Sequence, residues 1–368
     1  MGNKRILIVG EAPGEQEDYR NRPFVGPAGQ KLQSVLNQVG IDLRQDTWVT
    51  NSIICRPMKE GRNRAPSSKE VVYCRPNVIQ AIRTLQPESI VLLGAAAVRS
   101  VIGWLWREDP GGITKWAGWK IPCQKLNTWI FPTYHPSFLL RSEGSGSDNK
   151  RGNSVLELFF SKHLQSVANT KGRPWQKAPD YKSRVQVLYN AQEAANAVHS
   201  FIGEHPVAWD IECDRLKPDS SDARIVSCSM SNGKTTISFP WLGESVSATL
   251  KFVKSRTPKI GWNQKYETRW LLARYGVLIE NWVWDGMLGA HILDSRKGIT
   301  SLKFQAFVRL GQDGYDAYVK PYMKSSNSNS ANRIRELSLE SLLVYGGQDA
   351  LLEYKVGMIQ AKQLGVKL

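Results

Sequence analysis

Short apolar runs along this chain are followed by tight turns and then by amphipathic segments. Residues 6–9 (Ile-Leu-Ile-Val) and 89–93 (Ser-Ile-Val-Leu-Leu) predict buried strands. A glycine-containing turn follows each run, and the pattern from Ser68 to Leu85 predicts a helix. Strand–loop–helix units of this kind bind ligands at the carboxyl ends of their strands.

A second type of pattern is an apolar run that contains two carboxylates, Asp210 and Glu212. Residues two apart on a strand face the same side, so both side chains project together. Such close carboxylates repel each other, and burial would partly neutralise them by raising their pKa. A divalent cation removes the repulsion, and oxygen ligands suit Mg²⁺ or Mn²⁺. The alternative is a strand that runs out into a polar loop.

Two later segments strengthen the metal interpretation. Asn263 and Glu267 are four residues apart and lead into a helical pattern. Tyr345 and Asp349 have the same spacing and also lead into a helical pattern. Residues four apart on a helix share a face. One strand pair and two helix pairs can therefore direct their carboxylates and the Tyr345 phenol at one point.

In this order, the three segments resemble the DEDD-type 3′–5′ exonucleases, specifically the proofreading domain of family A DNA polymerases. The resemblance runs from about residue 183 to the C-terminus, with a connecting segment at 284–288 and 299–302. The matching motifs are Asp210-x-Glu212, Gly261-x-Asn263-x-Lys265-Tyr266 followed by an acid, and Tyr345-x-x-x-Asp349. The resemblance implies an RNase H-like (DnaQ-like) domain.

The same resemblance implies a site with two Mg²⁺ (or Mn²⁺) ions, held by Asp210, Glu212, Glu267 and Asp349. Tyr345 is expected to orient the attacking water, and Asn263 and Lys265 to bind substrate. The family's second motif normally ends in Asp, and Glu267 is one methylene longer. Asp285 is the alternative for this position, but we expect Glu267 to occupy it.

The first half of the chain has a different set of motifs. They resemble the uracil-DNA glycosylases, of the branch represented by the iron–sulfur family 4 enzymes, which implies an α/β/α sandwich. The motifs that carry the resemblance are Gly10-Glu11-Ala12-Pro13-Gly14, Arg22-Pro23-Phe24-Val25-Gly26-x-Ala28-Gly29, Thr50-Asn51, Cys55-Arg56-Pro57, Asn63-Arg64-Ala65-Pro66, Leu93-Gly94 and His135-Pro136-Ser137.

Four roles follow from this second resemblance. A flipped uracil needs a stacking ring and hydrogen bonds to its edge, and these would come from Phe24 and Asn51. Glu11 would position or activate water, and His135 would stabilise charge on the leaving base. The alternatives are that Phe24 belongs to the core and that His135 is a hydrogen-bonded loop residue.

The cysteines depart from the family pattern. Cys55 and Cys74 match the downstream pair of cluster ligands, but the chain begins only a few residues before Ile6, without the upstream pair. Iron–sulfur clusters normally need four ligands. We therefore expect no cluster, and a domain that has kept DNA binding whether or not it has kept catalysis.

Composition adds information about partners. The chain of 368 residues has a net charge of +16, which favours a polyanion, most simply nucleic acid. Thirteen tryptophans and twelve tyrosines offer surfaces on which unpaired bases can stack. No long apolar run or signal peptide is visible, and five cysteines lack the spacing of a disulfide scaffold. We expect DNA as partner, no membrane, and a cytoplasmic location, the host cytoplasm if the protein is viral.

The predicted organisation is a uracil-DNA glycosylase-like domain at 1–168, a basic linker at 169–182 and an exonuclease domain at 183–368. The polar run from Ser142 to Gly152 is interpreted as a mobile loop of the first domain.

The predicted function is that of a viral proofreading exonuclease subunit acting on single-stranded or frayed 3′ ends. Since the chain stops soon after the third motif, we expect a separate family A-type polymerase subunit. One alternative is a bifunctional repair enzyme that also excises uracil. The other is a non-catalytic DNA-binding scaffold subunit of a replication complex, which Glu267 and the missing cysteines would favour.

Overall fold

The computed structural model describes residues 2–106, 109–143 and 150–368. The predicted mobile loop from Ser142 to Gly152 lies mostly outside these residues. No helix in the described ranges has an apolar stretch long enough to cross a bilayer.

The chain forms two compact units. The first consists of Met1–Ala178 and Phe307–Asp313, and the second of Pro179–Ala306 and Gly314–Leu368. The boundary between residues 178 and 179 lies inside the segment predicted as a linker. The predicted boundaries do not assign Phe307–Asp313 to the first unit, and no sequence pattern indicated it.

A mostly parallel sheet is the centre of the first unit. Its strands and those of a small hairpin are β1 (Ile6–Gly10), β2 (Thr47–Asn51), β3 (Met58–Lys59), β4 (Arg62–Asn63), β5 (Ser89–Leu93), β6 (Ile121–Cys123) and β7 (Thr128–Thr133). The sheet has the order β2-β1-β5-β7-β6, and β6 alone of these five runs antiparallel to its neighbour. The carboxyl ends of four parallel strands therefore meet at one edge.

Helices flank this sheet. They are α1 (Glu15–Arg20), α2 (Pro27–Gln38), α3 (Ser68–Leu85), α4 (Gly94–Trp106), α5 (Pro136–Glu143) and α6 (Lys150–Ala168). The predicted helix Ser68–Leu85 is confirmed, and it starts with a capping box in which Ser67 and Glu70 each bond the other's backbone N–H. Ile8, Leu36 and Phe160 belong to one buried cluster, so β1, α2 and α6 share a core.

The second unit contains a six-stranded mixed sheet. Its strands are β8 (Gln186–Val187), β9 (Val207–Cys213), β10 (Ile225–Ser231), β11 (Thr236–Pro240), β12 (Lys259–Gly261) and β13 (Trp282–Asp285). The order is β13-β12-β9-β10-β11-β8. β10 is antiparallel to β9 and β11, whereas β12 is parallel to β9 and β13. If β9 to β13 are renumbered as strands 1 to 5, their order across the sheet, from β11 to β13, is 3-2-1-4-5. This is the arrangement of the predicted RNase H-like domain.

The helices of this half are α7 (Ala191–Ser200), α8 (Glu244–Val253), α9 (Lys265–Tyr275), α10 (Gly286–Leu293), α11 (Leu302–Leu310), α12 (Lys320–Met323) and α13 (Leu339–Gln363). Asn190 and Ser338 cap the starts of α7 and α13 with their side chains. The predicted fold class, α/β with a glycosylase-like domain followed by an RNase H-like domain, is confirmed.

One local prediction is wrong. Asn263 does not share a helical face with Glu267, because α9 begins only at Lys265. Asn263 has a φ of 69°, in the left-handed region, and so cannot continue a helix. The Asp285 carboxylate accepts hydrogen bonds from the backbone N–H groups of Asn263 and Gln264 and holds this turn.

Candidate active sites

Strand β9 presents two carboxylates on one face. Trp209 and Ile211 belong to the buried apolar cluster of the second unit. Asp210 and Glu212 alternate with them and therefore project from the opposite face of the strand. The apolar residues thus fix the strand, and the acidic residues are directed away from the apolar core.

Helix α13 brings the third motif to this face. The helix approaches β10 closely, because a Cβ at Gly346 would lie 2.7 Å from Ser229 Oγ. One carboxylate oxygen from each of Asp210, Glu212 and Asp349 lies within 4.8 Å of the other two. Three of the four predicted ligands are therefore brought together.

The fourth predicted ligand, Glu267, lies outside that group of three but is close to it. It is 3% exposed, and its Oε2 atom has no hydrogen-bond partner among the described residues. Burial raises its pKa well above the usual range, and the charge of Asp210 raises the pKa further. Glu267 therefore faces the cluster with a carboxylate oxygen available to a ligand.

Sequence reasoning missed a fifth carboxylate, Glu353. It is 3% exposed, and burial together with Asp210 and Glu267 raises its pKa well above the usual range. The signal was present in the sequence: Glu353 is four residues after Asp349, as Asp349 is after Tyr345.

The shared environment disfavours the charged form of Asp210 and Glu212, as it does that of Glu267 and Glu353. Burial, followed by the charge of Asp349, raises the pKa of Asp210 to about 7. Burial and the charges of Asp210 and Asp349 raise the pKa of Glu212 well above the usual range. Proximity of like charges in a buried site is the physical cause.

Sequence reasoning also missed Lys303 and Tyr315, which contact Asp349. The Lys303 Nζ donates to both carboxylate oxygens of Asp349, at 2.6 Å from Oδ1, and the Tyr315 hydroxyl donates to Oδ1. The Lys303 ammonium lies 4.7 Å from the ring centroid of Tyr345 and 4.8 Å from that of Tyr315. Tyr345 is buried beside these groups, and burial raises the pKa of its hydroxyl.

The other residues of the second motif are placed differently. Lys265 is exposed at the start of α9, and Asn263 is half-buried in the turn before it. Asp285 caps α10 by accepting from the N–H groups of Met287 and Leu288, besides holding the turn at Asn263. The Asp285 carboxylate thus accepts from four backbone N–H groups, which gives it a structural task at this turn and at the start of α10.

The residues of this cluster fit divalent cations. All the candidate ligand atoms are carboxylate oxygens, which Mg²⁺ and Mn²⁺ prefer. The unpartnered oxygen of Glu267 and the raised pKa values show a site whose negative charge is poorly compensated. A cation would supply the missing compensation.

The first unit carries a separate cavity of about 1100 Å³ at the carboxyl ends of its parallel strands. Four predicted site residues line it: Glu11, Phe24, Asn51 and His135. Asn51 ends β2, Glu11 follows β1, and His135 follows β7. The sheet edge thus gathers residues that are far apart in the sequence.

Phe24 is held in a strained backbone conformation, with a φ of 56°. Arg44 donates to the carbonyl oxygens of Pro23 and Phe24, at 3.0 and 2.8 Å. The Glu17 carboxylate accepts from the next two N–H groups, of Val25 and Gly26. Neither Arg44 nor Glu17 was singled out from the sequence, and together they fix the ring that is predicted to stack on a base.

Gly10 allows two of these site residues to approach the strand. A Cβ there would lie 2.4 Å from Asn51 Oδ1 and 2.7 Å from the Phe24 ring. Any larger residue would displace both side chains from the cavity.

His135 is neutral near pH 7. Burial, followed by the charge of Arg141, lowers its pKa to about 4. Its Nδ1 atom lies 2.8 Å from Ser137 Oγ, and Arg141 donates to the same hydroxyl at 3.3 Å. Burial raises the pKa of the Glu11 carboxyl in the same cavity. The lining of the cavity also contains Arg64 and Arg141, so cationic side chains accompany its carboxylates.

The cysteines of the first unit do not fit an iron–sulfur cluster. Within the described ranges, the carboxylate group is the one set of three or more potential metal ligands, and it contains no cysteine. Cys55 is exposed, Cys74 is half-buried, and burial raises the pKa of Cys123 to about 12. Cluster ligands are thiolates, so no step is assigned to such a cluster.

The fold and cavity of the first unit are those of a uracil-DNA glycosylase-like protein. Residues 1–159 match the family model described as the uracil DNA glycosylase superfamily. The type-4 uracil-DNA glycosylase of Pyrobaculum aerophilum is 37% identical over 42% of this chain and 76% of its own length. The chain therefore belongs to the uracil DNA glycosylase superfamily.

Two other proteins are similar to this chain. A DNA polymerase of Bacillus phage SP01 is 24% identical over 85% of this chain, and the match covers 35% of the polymerase. The solved structure of Brucella melitensis NrnC has 16% sequence identity and a TM-score of 0.36, covering 49% of this chain and 80% of its own.

Proposed function

We propose that this protein is a metal-dependent 3′–5′ DNA exonuclease that proofreads for a DNA polymerase, and that its first unit binds DNA. The observation that carries the proposal is the convergence of Asp210, Glu212 and Asp349, with ligand oxygens within 4.8 Å, beside the buried Glu267. Grouped carboxylates of this kind hold divalent ions in phosphoryl-transfer sites.

The residues of the chain have distinct tasks in this mechanism. The carboxylates of Asp210, Glu212, Glu267 and Asp349 would hold two divalent cations, Mg²⁺ or Mn²⁺. The chemistry that such cations supply is a lowered pKa for water and stabilisation of charge on the phosphate. Tyr345, whose hydroxyl keeps its proton because burial raises its pKa, would orient the attacking water by hydrogen bonding.

Two observations support DNA and a polymerase as partners. The net charge of +16 favours binding to a polyanion. The similarity to the phage DNA polymerase runs through 85% of this chain. We propose that the substrate is a single-stranded or frayed 3′ end delivered by a family A-type polymerase, which a pull-down with the candidate polymerase would test.

The test of the nuclease is a gel with 5′-labelled single-stranded DNA, incubated with Mg²⁺ or with EDTA. We expect a ladder that shortens from the 3′ end with Mg²⁺ and disappears with EDTA and in Asp210→Ala. An intact substrate in all lanes would contradict the proposal and favour a non-catalytic scaffold.

A second candidate function is uracil excision by the first unit. The neutral His135, the fixed Phe24 ring and Asn51 in one cavity favour it. A neutral imidazole can donate a hydrogen bond to an anionic leaving base without a change of protonation. On the same gel, an alkali-dependent break at an internal uracil that survives EDTA would establish this activity, and its absence would leave a DNA-binding domain.

We also propose a cytoplasmic location, in the host cell if the protein is viral. All five cysteines are free thiols, which suits a reducing compartment. Localisation of a tagged protein would test this.

A further inference from the structure

Glu353 has an unexplained environment. It lies one helical turn after Asp349 on α13 and is 3% exposed. Its Oε2 atom has no hydrogen-bond partner within the described part of the chain. Burial of a carboxylate is costly unless a partner compensates for the lost water. A buried residue with no such partner and with a purely structural role would be better served by an apolar side chain.

Glu267 has the same unusual environment on a different helix. It is also 3% exposed, and its Oε2 atom is likewise buried without a partner in the described ranges. Glu353 interacts through space with Glu267, Asp210 and Asp349. Two unpaired carboxylate oxygens, from α9 and α13, therefore lie outside the group of Asp210, Glu212 and Asp349 but interact electrostatically with it.

The charges of the cluster lead to a specific number of cations. Five carboxylates interact here: Asp210, Glu212, Glu267, Asp349 and Glu353. Within the described residues, Lys303 is the positive side chain that interacts with Asp210, Glu212 and Glu353 and donates to Asp349. Five carboxylates and one ammonium group leave four negative charges, which two divalent cations neutralise.

We propose that Glu353 is a fifth metal-binding carboxylate, which together with Glu267 forms the second cation position beside the group of Asp210, Glu212 and Asp349. This inference rests on the proposed metal-dependent function. It explains why the longer Glu267 is compatible with a two-cation site, because Glu353 supplies a second oxygen donor from α13.

The test is calorimetric titration of the full chain with Mn²⁺ and no DNA. The wild-type protein should bind two ions. Glu353→Gln, which is nearly isosteric, should weaken the binding of one ion by at least about 10-fold. This is the lower end of the losses of affinity seen for groups that support a metal ligand. The control is Glu340→Gln, at an exposed position of the same helix, which should leave the affinity for both ions unchanged.

Two further variants sharpen the result. Glu267→Gln should weaken the binding of the same ion. The double variant should bind this ion only slightly less tightly than either single variant, because both side chains hold one cation. Glu353→Asp keeps the charge and should show an intermediate loss. If Glu353→Gln does not fold, which its melting curve in EDTA would show, Glu353→Asp decides the question alone.

The outcomes separate this inference from the proposed function. A Glu353→Gln titration that superimposes on the wild type overturns the role of Glu353, even if the wild type degrades DNA. Loss of one ion in Glu353→Gln supports the role of Glu353, even if the wild type shows no nuclease activity on the gel.

Discussion

The two units place their candidate sites in opposite electrostatic environments. The cavity of the first unit contains a neutral His135 and lies at the edge of a parallel sheet. The site of the second unit contains four buried carboxylates, the half-buried Asp210 and one lysine. Backbone features, such as the φ of 56° at Phe24 and the contact at Gly10, fix the first site.

The difference indicates how each site depends on a cofactor. The first site is assembled from hydrogen bonds and packing. The second site contains repelling charges, and its carboxylates must bind either protons or cations. We therefore expect EDTA and pH to affect the second site strongly and the first site little.

The largest expected effect is that of removing Asp349. Asp349→Asn removes the negative charge of one ligand and one of the two oxygens that accept from Lys303. The exonuclease rate should fall by at least about 100-fold. This exceeds the usual loss of activity on replacing a group that only supports a metal ligand, because Asp349 is itself a ligand. Binding of uracil-containing DNA should be unchanged, as measured on the same preparation by fluorescence anisotropy.

The reciprocal variant is Asn51→Ala in the first unit. Loss of a hydrogen bond to a flipped base should weaken binding of uracil-containing DNA by about 5-fold relative to the same DNA with thymine, since one hydrogen bond contributes about 1 kcal/mol. The exonuclease rate should not change. If Asn51→Ala lowered both activities equally, the two sites would not be independent.

Next in size after the effect of Asp349→Asn is that of replacing Lys303, whose ammonium group is hydrogen-bonded to the oxygens of Asp349. Lys303→Gln removes a competing cation and should tighten Mn²⁺ binding by about 10-fold, which corresponds to roughly 1.4 kcal/mol. The matched control is the exposed Lys254→Gln. Weaker binding in Lys303→Gln would show that the lysine supports the cation site instead of competing with it.

The pH dependence of stability should also distinguish the sites. The folded-state pKa of Asp210 is raised to about 7, whereas the unfolded value is about 3.9. The folded state therefore binds this proton more tightly, and the stabilisation is lost as pH rises through about 7.

In EDTA, the melting temperature of the wild type should therefore fall between about pH 5 and pH 8 by several degrees, at roughly 2–4 °C for each kcal/mol. Addition of Mn²⁺ should make the melting temperature less dependent on pH, and so should the substitution Asp210→Asn. A melting temperature in EDTA that rises over this interval would falsify the assignment.

The smallest effect concerns Asp285, whose carboxylate accepts from the backbone at the turn before α9 and at the start of α10. Asp285→Asn loses one of these hydrogen bonds and should lower stability by about 1 kcal/mol. Mn²⁺ affinity should remain unchanged in the titration, in contrast to Glu267→Gln. A loss of one ion in Asp285→Asn would restore Asp285 as the alternative ligand.

The sequence by itself determined the fold class and most of the candidate residues. Alternation along residues 207–213 predicted that Asp210 and Glu212 share a face, because a strand has a period of two residues. The spacing of Tyr345 and Asp349 placed them on one helical face for the same kind of reason. These inferences depend on local geometry, which the order of residues fixes.

Tertiary structure alone decided which distant groups meet. Glu353 faces the carboxylates because α13 packs against β9, and Lys303 and Tyr315 reach Asp349 because tertiary packing brings their segments to α13. The helical spacing predicted for Asn263 was wrong because Asp285, 22 residues later, holds that turn. Long-range packing sets burial and charge compensation, and neither quantity can be read from residue spacing.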